Sequence, residues 1–262
     1  MSHFDRNAAA AFGRPLTRAE AAVVDEGLRA YMLRVYNYMV LGLAITGLAA
    51  LGVYTLSVTT DPSLAVVKVR NIMLTQVGYT LFVSPLKWAV IFAPLALVFF
   101  LSFRIQNMRP ATAQLTYWIY AALVGVSLGS IFLIYTHTSI VRVFFITAAS
   151  FGALSLWGYT TNRDLTGMGS FLIMGLFGII IASLVNIFLV SSMMQWIISV
   201  VGVLIFAGLT AYDTQRLKSE YIHGAMDGDV MERSAIMGAL SLYLDFLNLF
   251  TMLLQLLGTR DE

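Results

Sequence analysis

Two aspartates stand apart from every other charge in this chain. Asp245 lies within an apolar run, in Ser241-Leu-Tyr-Leu-Asp-Phe-Leu-Asn248, and Asp213 lies at the edge of another, in Leu209-Thr-Ala-Tyr-Asp-Thr-Gln-Arg-Leu-Lys218. A carboxylate in the middle of a lipid-facing helix costs about 2.5 to 3.5 kcal/mol on insertion scales. Asp245 is therefore expected to face the inside of a helix bundle, where a partner or water lowers that cost. Ser241, Asp245, Asn248, Met252 and Gln255 step by four, three, four and three residues, which places them on one helix face. The stripe either glues helices together or lines a polar path. Asn186, in Ser183-Leu-Val-Asn-Ile-Phe, has the same two readings: an interhelical hydrogen bond or a pore-lining amide.

Asp213 ends its apolar run, and a helix C-terminus carries partial negative charge, so an aspartate there is unfavourable unless paired. Arg216 is its local partner. Arg104, closing Val98-Phe-Phe-Leu-Ser-Phe-Arg, is a distant one, with an ordinary boundary anchor as the simpler reading. Asp213 and Asp245 approach one another only if Asp213 lies slightly inside its span, which a shift of two or three residues permits.

The elements that must position these groups follow from composition. Of the 262 residues, 59% are hydrophobic and 11% charged, whereas a soluble domain is about a quarter charged. Lipid must be the solvent for most of the chain. Cysteine is absent, which removes disulfides and thiolate chemistry, and the net charge of +2 gives nucleic acid no electrostatic footprint. Three histidines at positions 3, 137 and 223 are poor material for a metal site. Seven apolar runs are long enough to span: Val35–Ser57, Leu86–Ser102, Leu115–Tyr135, Ile140–Gly158, Phe171–Val190, Met193–Ala211 and Ile236–Leu257. The reading is an all-α membrane protein with seven transmembrane helices in residues 35–258. A tail of 1–34 precedes them and a short tail of 259–262 follows. Thr17-Arg-Ala-Glu20 fits a capping box. Ala21, Val24, Leu28 and Tyr31 then recur at helical spacing, either as a helix on the membrane surface or as the start of the first span. Short turns are expected around His137 and Ser191-Ser192, and long connections over 58–85 and 212–235.

With the N-terminus cytoplasmic, eleven Lys and Arg fall inside and five outside, counted from the sixteen in the chain, and the C-terminus lies outside. Gly125-x-x-x-Gly129 and the Gly42, Gly47, Gly52 series are expected to let helices approach closely. Enzyme classes fit badly. An intramembrane aspartyl protease needs Gly-x-Gly-Asp where Leu242-Tyr-Leu-Asp245 stands, a retinal pump needs a lysine within a span, and a serine-type intramembrane protease needs a histidine there. No enzymatic activity and no resident cofactor are expected.

At these residues the chain resembles the Bax inhibitor-1 family of multi-pass membrane proteins (those carrying the transmembrane Bax inhibitor motif), in its bacterial branch. Ala239-Leu-Ser-Leu-Tyr-Leu-Asp-Phe-Leu-Asn-Leu-Phe250 is similar to the signature of its last helix, and Gly208-Leu-Thr-Ala-Tyr-Asp-Thr-Gln-Arg-Leu-Lys218 to that of the sixth. Asp164-Leu-Thr-Gly-Met-Gly-Ser-Phe-Leu172 with Asn186 also fits. The resemblance implies two three-helix halves around a central C-terminal helix, and a calcium leak controlled by pH. It implies a proton-sensing pair, here Asp213 and Asp245, and an arginine latch, here Arg104. Two carboxylates in a low-dielectric site cannot both ionise cheaply, so protons in the medium set their charge. Transient Ca²⁺ ligands would come from the same pair and from the Ser241, Asn248 and Gln255 stripe, because Ca²⁺ takes oxygen ligands. The acid that some bacterial relatives carry in the second helix is missing here. The relatives also suggest an alternative: a non-conducting regulator that binds a membrane-anchored ATP-dependent protease, with residues 1–34 as the handle. The lipid bilayer, Ca²⁺ and that protease are the expected partners, nucleic acid is not, and the protein is expected to be a monomer in a bacterial inner membrane.

Overall fold

The structure is a computed structural model and describes residues 18–69, 72–223 and 228–261, with nothing said of the side chains of 18–23 and 223. Seven long helices carry the chain: α1 Arg18–Ser57, α2 Lys87–Arg104, α3 Pro110–Leu128, α4 His137–Thr160, α5 Thr166–Leu189, α6 Ser192–His223 and α7 Gly228–Leu257. Each contains a stretch long and apolar enough to cross a membrane. The fold is thus all-α, as the apolar runs require. Large apolar side chains lie bare on its surface, among them Phe188 at 87% exposure and Phe103 at 78%. In water such a surface would aggregate, and in lipid it is the solvated state.

Six of the seven helices are longer than the hydropathy runs, α3 being the exception, and the difference matters most at α6. The sixth run was expected to end at Ala211 and the seventh to begin at Ile236. Instead α6 continues to His223 and α7 starts at Gly228, so the expected connection over 212–235 shrinks to 224–227. The missed turns are amphipathic rather than apolar. Thr214, Leu217 and Ile222 are buried, whereas Arg216 and Glu220 on the same turns stay partly open. A hydropathy window averages over both faces and loses such a segment. Asp213 accordingly stands in a helix interior, and the C-terminal dipole argument does not apply to it.

The chain divides into two compact units. The first holds residues up to Asn37 together with Val141–Gly258. Within it α6 packs against α5 on one side and α7 on the other. Leu172 and Ile179 of α5, Ile205, Phe206 and Leu209 of α6 and Leu249 of α7 close into one apolar cluster. Small residues set the helix spacing. A Cβ on Gly158 would fall 2.2 Å from the Ala211 carbonyl oxygen, so α4 touches α6 backbone to backbone. The start of α1 belongs here too. Leu28, Tyr31, Met32 and Val35 are buried along one face, so protein rather than lipid headgroups covers that stripe. The capping threonine proposed at Thr17 lies outside the described residues. α7 is the most enclosed helix, with 44% of its spanning window buried against 11% for α2.

The second unit holds Tyr38–Ile140 and the residues after Gly258. α1 and α3 meet in it through Gly125, whose Cβ would lie 2.4 Å from the Thr46 carbonyl oxygen, and through Gly129 against Val53. Gly42 faces the Tyr117 hydroxyl, whereas Gly47 and Gly52 meet nothing. The segment expected as a plain connection over 58–85 contains a small antiparallel sheet, β1 Val58–Thr59, β2 Val67–Val69 and β3 Ile72–Leu74, in the order β1-β3-β2. Strands of two or three residues leave no alternation to read. A cavity of about 700 Å³ lies beside the sheet, lined by Leu74, Phe82, Leu133 and Arg260 among others. The short C-terminal segment is pinned to the α3–α4 connection, through Thr136 N–H to Thr259 O at 3.0 Å and Asp261 N–H to Ile134 O at 2.9 Å.

Candidate functional site

The first unit brings Asp213 and Asp245 together. Both are 6% exposed. Asp213 sits on α6, and its Oδ2 accepts a 2.5 Å hydrogen bond from Ser241 Oγ on α7. Ser241 in turn accepts from Arg216 Nη2 at 3.2 Å. Arg216 Nη1 lies 3.1 Å from Asp213 Oδ1, one helical turn along α6. Its Nε lies 3.4 Å from Glu220 Oε1, a further turn on. Asp213, Arg216 and Glu220 thus form an acid–base–acid ladder on one face of α6. The Arg216 guanidinium also lies 5.9 Å from the Tyr212 ring centroid, within cation–π range. α5 permits that seat: a Cβ on Gly169 would fall 2.3 Å from the Tyr212 ring.

Asp245 completes the cluster from α7. Its carboxyl faces that of Asp213 within hydrogen-bonding reach and also feels the Arg216 charge. Its Oδ2 is buried with no hydrogen-bond partner. A buried polar atom left unpaired costs about 1 to 3 kcal/mol, more when charged. Four ionisable groups therefore lie together, three acids and one base, with Asp213 and Asp245 buried and Arg216 and Glu220 partly open. Beside it, Tyr31 of α1 donates to or accepts from Ser234 Oγ at 2.9 Å and stacks on Tyr221 at 5.3 Å.

The rest of the polar stripe on α7 goes elsewhere. Asn248 returns its amide to the Leu244 carbonyl at 2.9 Å, within its own helix. Met252 packs on Gly202 of α6. Gln255 joins a second cluster at the α5–α6 turn. Gln195 Nε2 donates to Gln255 Oε1 at 2.5 Å, and Ser199 Oγ donates to the same oxygen at 2.7 Å. Asn186 Nδ2 donates to Gln195 Oε1 at 3.2 Å, and Asn186 Oδ1 accepts from the Ser191 N–H at 3.0 Å. Asn186 therefore braces a turn in which Val190 adopts a left-handed conformation at φ 49°. Arg104 ends α2 in the second unit with its side chain exposed. Within the first unit, Asp213 pairs with Arg216. Among the described residues, no three acidic or histidine side chains converge on a metal-sized site.

Sequence reading did not single out Glu220, Tyr212, Gln195, Ser199 or Gly169. The signal for Glu220 was present, since Asp213, Arg216 and Glu220 follow at three and four residues. It was masked by ending α6 at Ala211.

A seven-span helical protein with an enclosed carboxylate cluster between its last two long helices is the class that fold and site define. The match to known families makes it particular. The family described as "Inhibitor of apoptosis-promoting Bax1" matches residues 28–262, and the chain belongs to this Bax inhibitor-1 family. It is 46% identical to an uncharacterized protein of Caulobacter vibrioides across the whole of both chains. It is also 46% identical to the uncharacterized protein RP147 of Rickettsia prowazekii, over 94% of this chain and 96% of that one. It is 49% identical to the inner membrane protein YbhL of Escherichia coli, over 65% of this chain and 74% of that protein.

Proposed function

We propose that this protein is a pH-sensitive calcium leak in a bacterial inner membrane, with Asp213 and Asp245 as its proton sensor. The observation that carries this reading is a pair of buried carboxyls, Asp213 and Asp245, in which one Asp245 oxygen has no hydrogen-bond partner. A group purely for stability would be fully bonded or replaced by an apolar side chain. An acid held this way is sensitive to anything that changes its charge. Like charges in a medium of low dielectric repel strongly. At higher pH, Arg216 offsets the negative charge of the pair, Ser241 donates a hydrogen bond to Asp213, and α6 and α7 are held together at that level. Proton uptake by the pair weakens its hold on Arg216, which loosens the strut between the two helices. Ca²⁺ then moves down its gradient past oxygen ligands that bind it weakly, as conduction requires. Arg104 remains the expected latch by resemblance.

The N-terminus lies inside and the C-terminus outside in this reading, from the eleven-to-five excess of Lys and Arg. The inner membrane location is supported by the likeness to YbhL. Proteoliposomes loaded with a Ca²⁺ dye test the proposal. The wild-type leak should rise as pH falls through neutrality, and the Asp213→Asn, Asp245→Asn double variant should leak at a rate independent of pH. A wild-type response retained in that variant sinks the sensor. No leak from correctly inserted wild-type protein would leave the binding role, as a regulator of a membrane-anchored ATP-dependent protease, as the better account.

A further inference from the structure

The cavity beside the small sheet of the second unit measures about 700 Å³, within the range that encloses a small-molecule ligand. Strand alternation builds one of its walls. Val69 of β2 pairs with Ile72 of β3, and Leu74 follows two residues on, so these three side chains share the face that lines the cavity. Lys68 and Met73, the neighbouring pair, belong to the opposite face. Phe82 closes the cavity from the segment leading to α2, and Leu133 from the short helix Gly129–Leu133 that continues α3. Ser130 also lines it, but its hydroxyl donates to the Ser127 carbonyl at 3.0 Å. The cation among the described lining residues is Arg260. Hydrogen bonds on either side fix its place in the chain. Thr259 N–H donates to Ser139 Oγ at 2.8 Å, Thr136 N–H donates to Thr259 O at 3.0 Å, and Asp261 N–H donates to Ile134 O at 2.9 Å. Among the described residues no acid lies within ion-pair distance of the Arg260 guanidinium, its neighbour Asp261 included.

We propose that this cavity binds a fatty acid, a long-chain monocarboxylate taken from the bilayer, with its chain against Val69, Ile72, Leu74, Phe82 and Leu133 and its carboxylate on Arg260. The division of the lining into an apolar wall and one cation matches an amphiphile with one chain and one anionic head. Arginine presents a planar fork of donors that meets a carboxylate in two parallel hydrogen bonds. Asp261, also on the lining, offsets much of the charge of Arg260, which favours a single negative charge on the ligand over a phosphate dianion. The place in the fold supplies the route. Lys87 lies 5.5 Å from the Trp88 ring centroid in the first turn of α2, directly after the segment that carries Phe82 and Val83. A lysine and a tryptophan at a helix end anchor it at the lipid–water boundary. Val83 and Ile134 line the same cavity and are exposed, which gives a chain arriving from lipid an apolar approach. The carboxylate then stays at the boundary, where it already lies in a bilayer, and only the chain changes its surroundings.

The probe is palmitic acid carrying a diazirine near its chain end, used with the whole chain in liposomes of neutral phosphatidylcholine at alkaline pH, where the carboxyl is ionised. Mass spectrometry locates the photolabelled peptides. Labelling of peptides that contain Phe82 or Leu133 should saturate and be displaced by unlabelled palmitate. Labelling of bare surface such as Phe188 should rise in proportion to the probe. Palmitic acid methyl ester lacks the charge and should displace the probe far less well. Arg260→Gln should weaken the apparent affinity by about tenfold to a hundredfold, the loss of one charge-assisted contact. Leu133→Trp fills the cavity and should abolish saturable labelling. If that variant does not fold, Val69→Phe makes the same test from the sheet. Lys68→Gln removes an equal charge from the opposite face of the sheet and should keep the wild-type affinity. Labelling that never saturates, displacement by the methyl ester equal to that by palmitate, or equal affinities in wild type and Arg260→Gln each overturn the proposal. Equal losses in Lys68→Gln and Arg260→Gln do the same, since they would show a general attraction of anions to basic residues. Displacement by phosphatidylglycerol or inorganic phosphate as effective as that by palmitate overturns the fatty acid as the occupant. The readout involves no Ca²⁺ flux, so it stands whether or not the protein leaks.

Discussion

Two polar clusters bridge α6 and α7, and they solve the same problem in opposite ways. One gathers Gln195, Ser199, Gln255 and Asn186 beside the α5–α6 turn. Every bond in it joins neutral groups, and the Gln255 oxygen accepts two donors. The other gathers Asp213, Asp245, Arg216, Glu220 and Ser241, with three acids for one base and one buried oxygen unpaired. An apolar layer including Phe206, Leu209 and Leu249 lies between them. The amide cluster is what a helix pair needs to hold register in lipid, where each such bond contributes about 0.6 kcal/mol. The charged cluster is more than that task requires and is less well satisfied. A fold that pairs its polar groups at the more open end of a helix pair and leaves a buried one unsatisfied at the other points to function at the second.

That difference was only half legible in the sequence. Asp245 announced itself, because one acid inside an apolar run has no cheap explanation. The seven spans were legible for the same reason. The pairing of Asp213 with Asp245 was legible only through the family resemblance, because hydropathy ended α6 before the turns that enclose Asp213. The amide cluster was hidden differently. Gln195 and Ser199 lie at ordinary spacing near a span end, and nothing in their types says that Gln255, sixty positions on, completes them. The small sheet before α2 was invisible because its strands are too short to show a period. Helix-internal patterns were readable, and partners set by tertiary packing were not.

The sharpest way to break the contrast is to neutralise the unpaired acid. Asp245→Asn keeps the shape and removes the like-charge conflict with Asp213. It should raise stability by about 1 to 3 kcal/mol, because the buried oxygen without a hydrogen-bond partner costs about that much and an amide can donate to the neighbouring carboxylate instead. Thermal unfolding in detergent across pH measures this, and a loss of stability at neutral pH would mean that the two acids are not in conflict.

The second test removes the seat of the arginine rather than a charge. Gly169→Ala places a methyl 2.3 Å from the Tyr212 ring. Overpacking of this kind costs about 1 to 3 kcal/mol, and here it moves the ring on which Arg216 leans. The same substitution at Gly167, which meets nothing within 4 Å, should be neutral or slightly stabilising. Equal melting temperatures for the two variants would show that Tyr212 yields freely.

A matched pair of serine truncations compares the clusters directly. Ser241→Ala takes the hydrogen bond from Asp213 and leaves a buried charged acceptor short of a donor, at a cost of about 1.5 kcal/mol. Ser199→Ala takes one of two donors from Gln255, whose oxygen keeps Gln195, at a cost of about 0.5 kcal/mol. Only the first should also change the pH profile of the leak. A Ser199→Ala cost equal to that of Ser241→Ala would remove the distinction between a charged and a neutral seam.

The smallest expected effect comes from a third acid, outside the spans, that is satisfied where Asp245 is not. Asp61 accepts from the Ser63 N–H and the Ser63 hydroxyl at 2.8 Å each, in the turn after β1. Those two bonds, the backbone one foremost, hold its carboxyl below the usual carboxylate range. The sign follows from linkage: with the folded value depressed, its contribution is present above the unfolded value and is lost as pH falls through the folded one. It is fully ionised throughout the neutral range and cannot supply a response there. Asp61→Asn should therefore leave the neutral-range leak profile superimposable on wild type, while Asp245→Asn flattens it. A shift of that profile in Asp61→Asn would mean that loop charge, rather than the unpaired oxygen between α6 and α7, reports the pH.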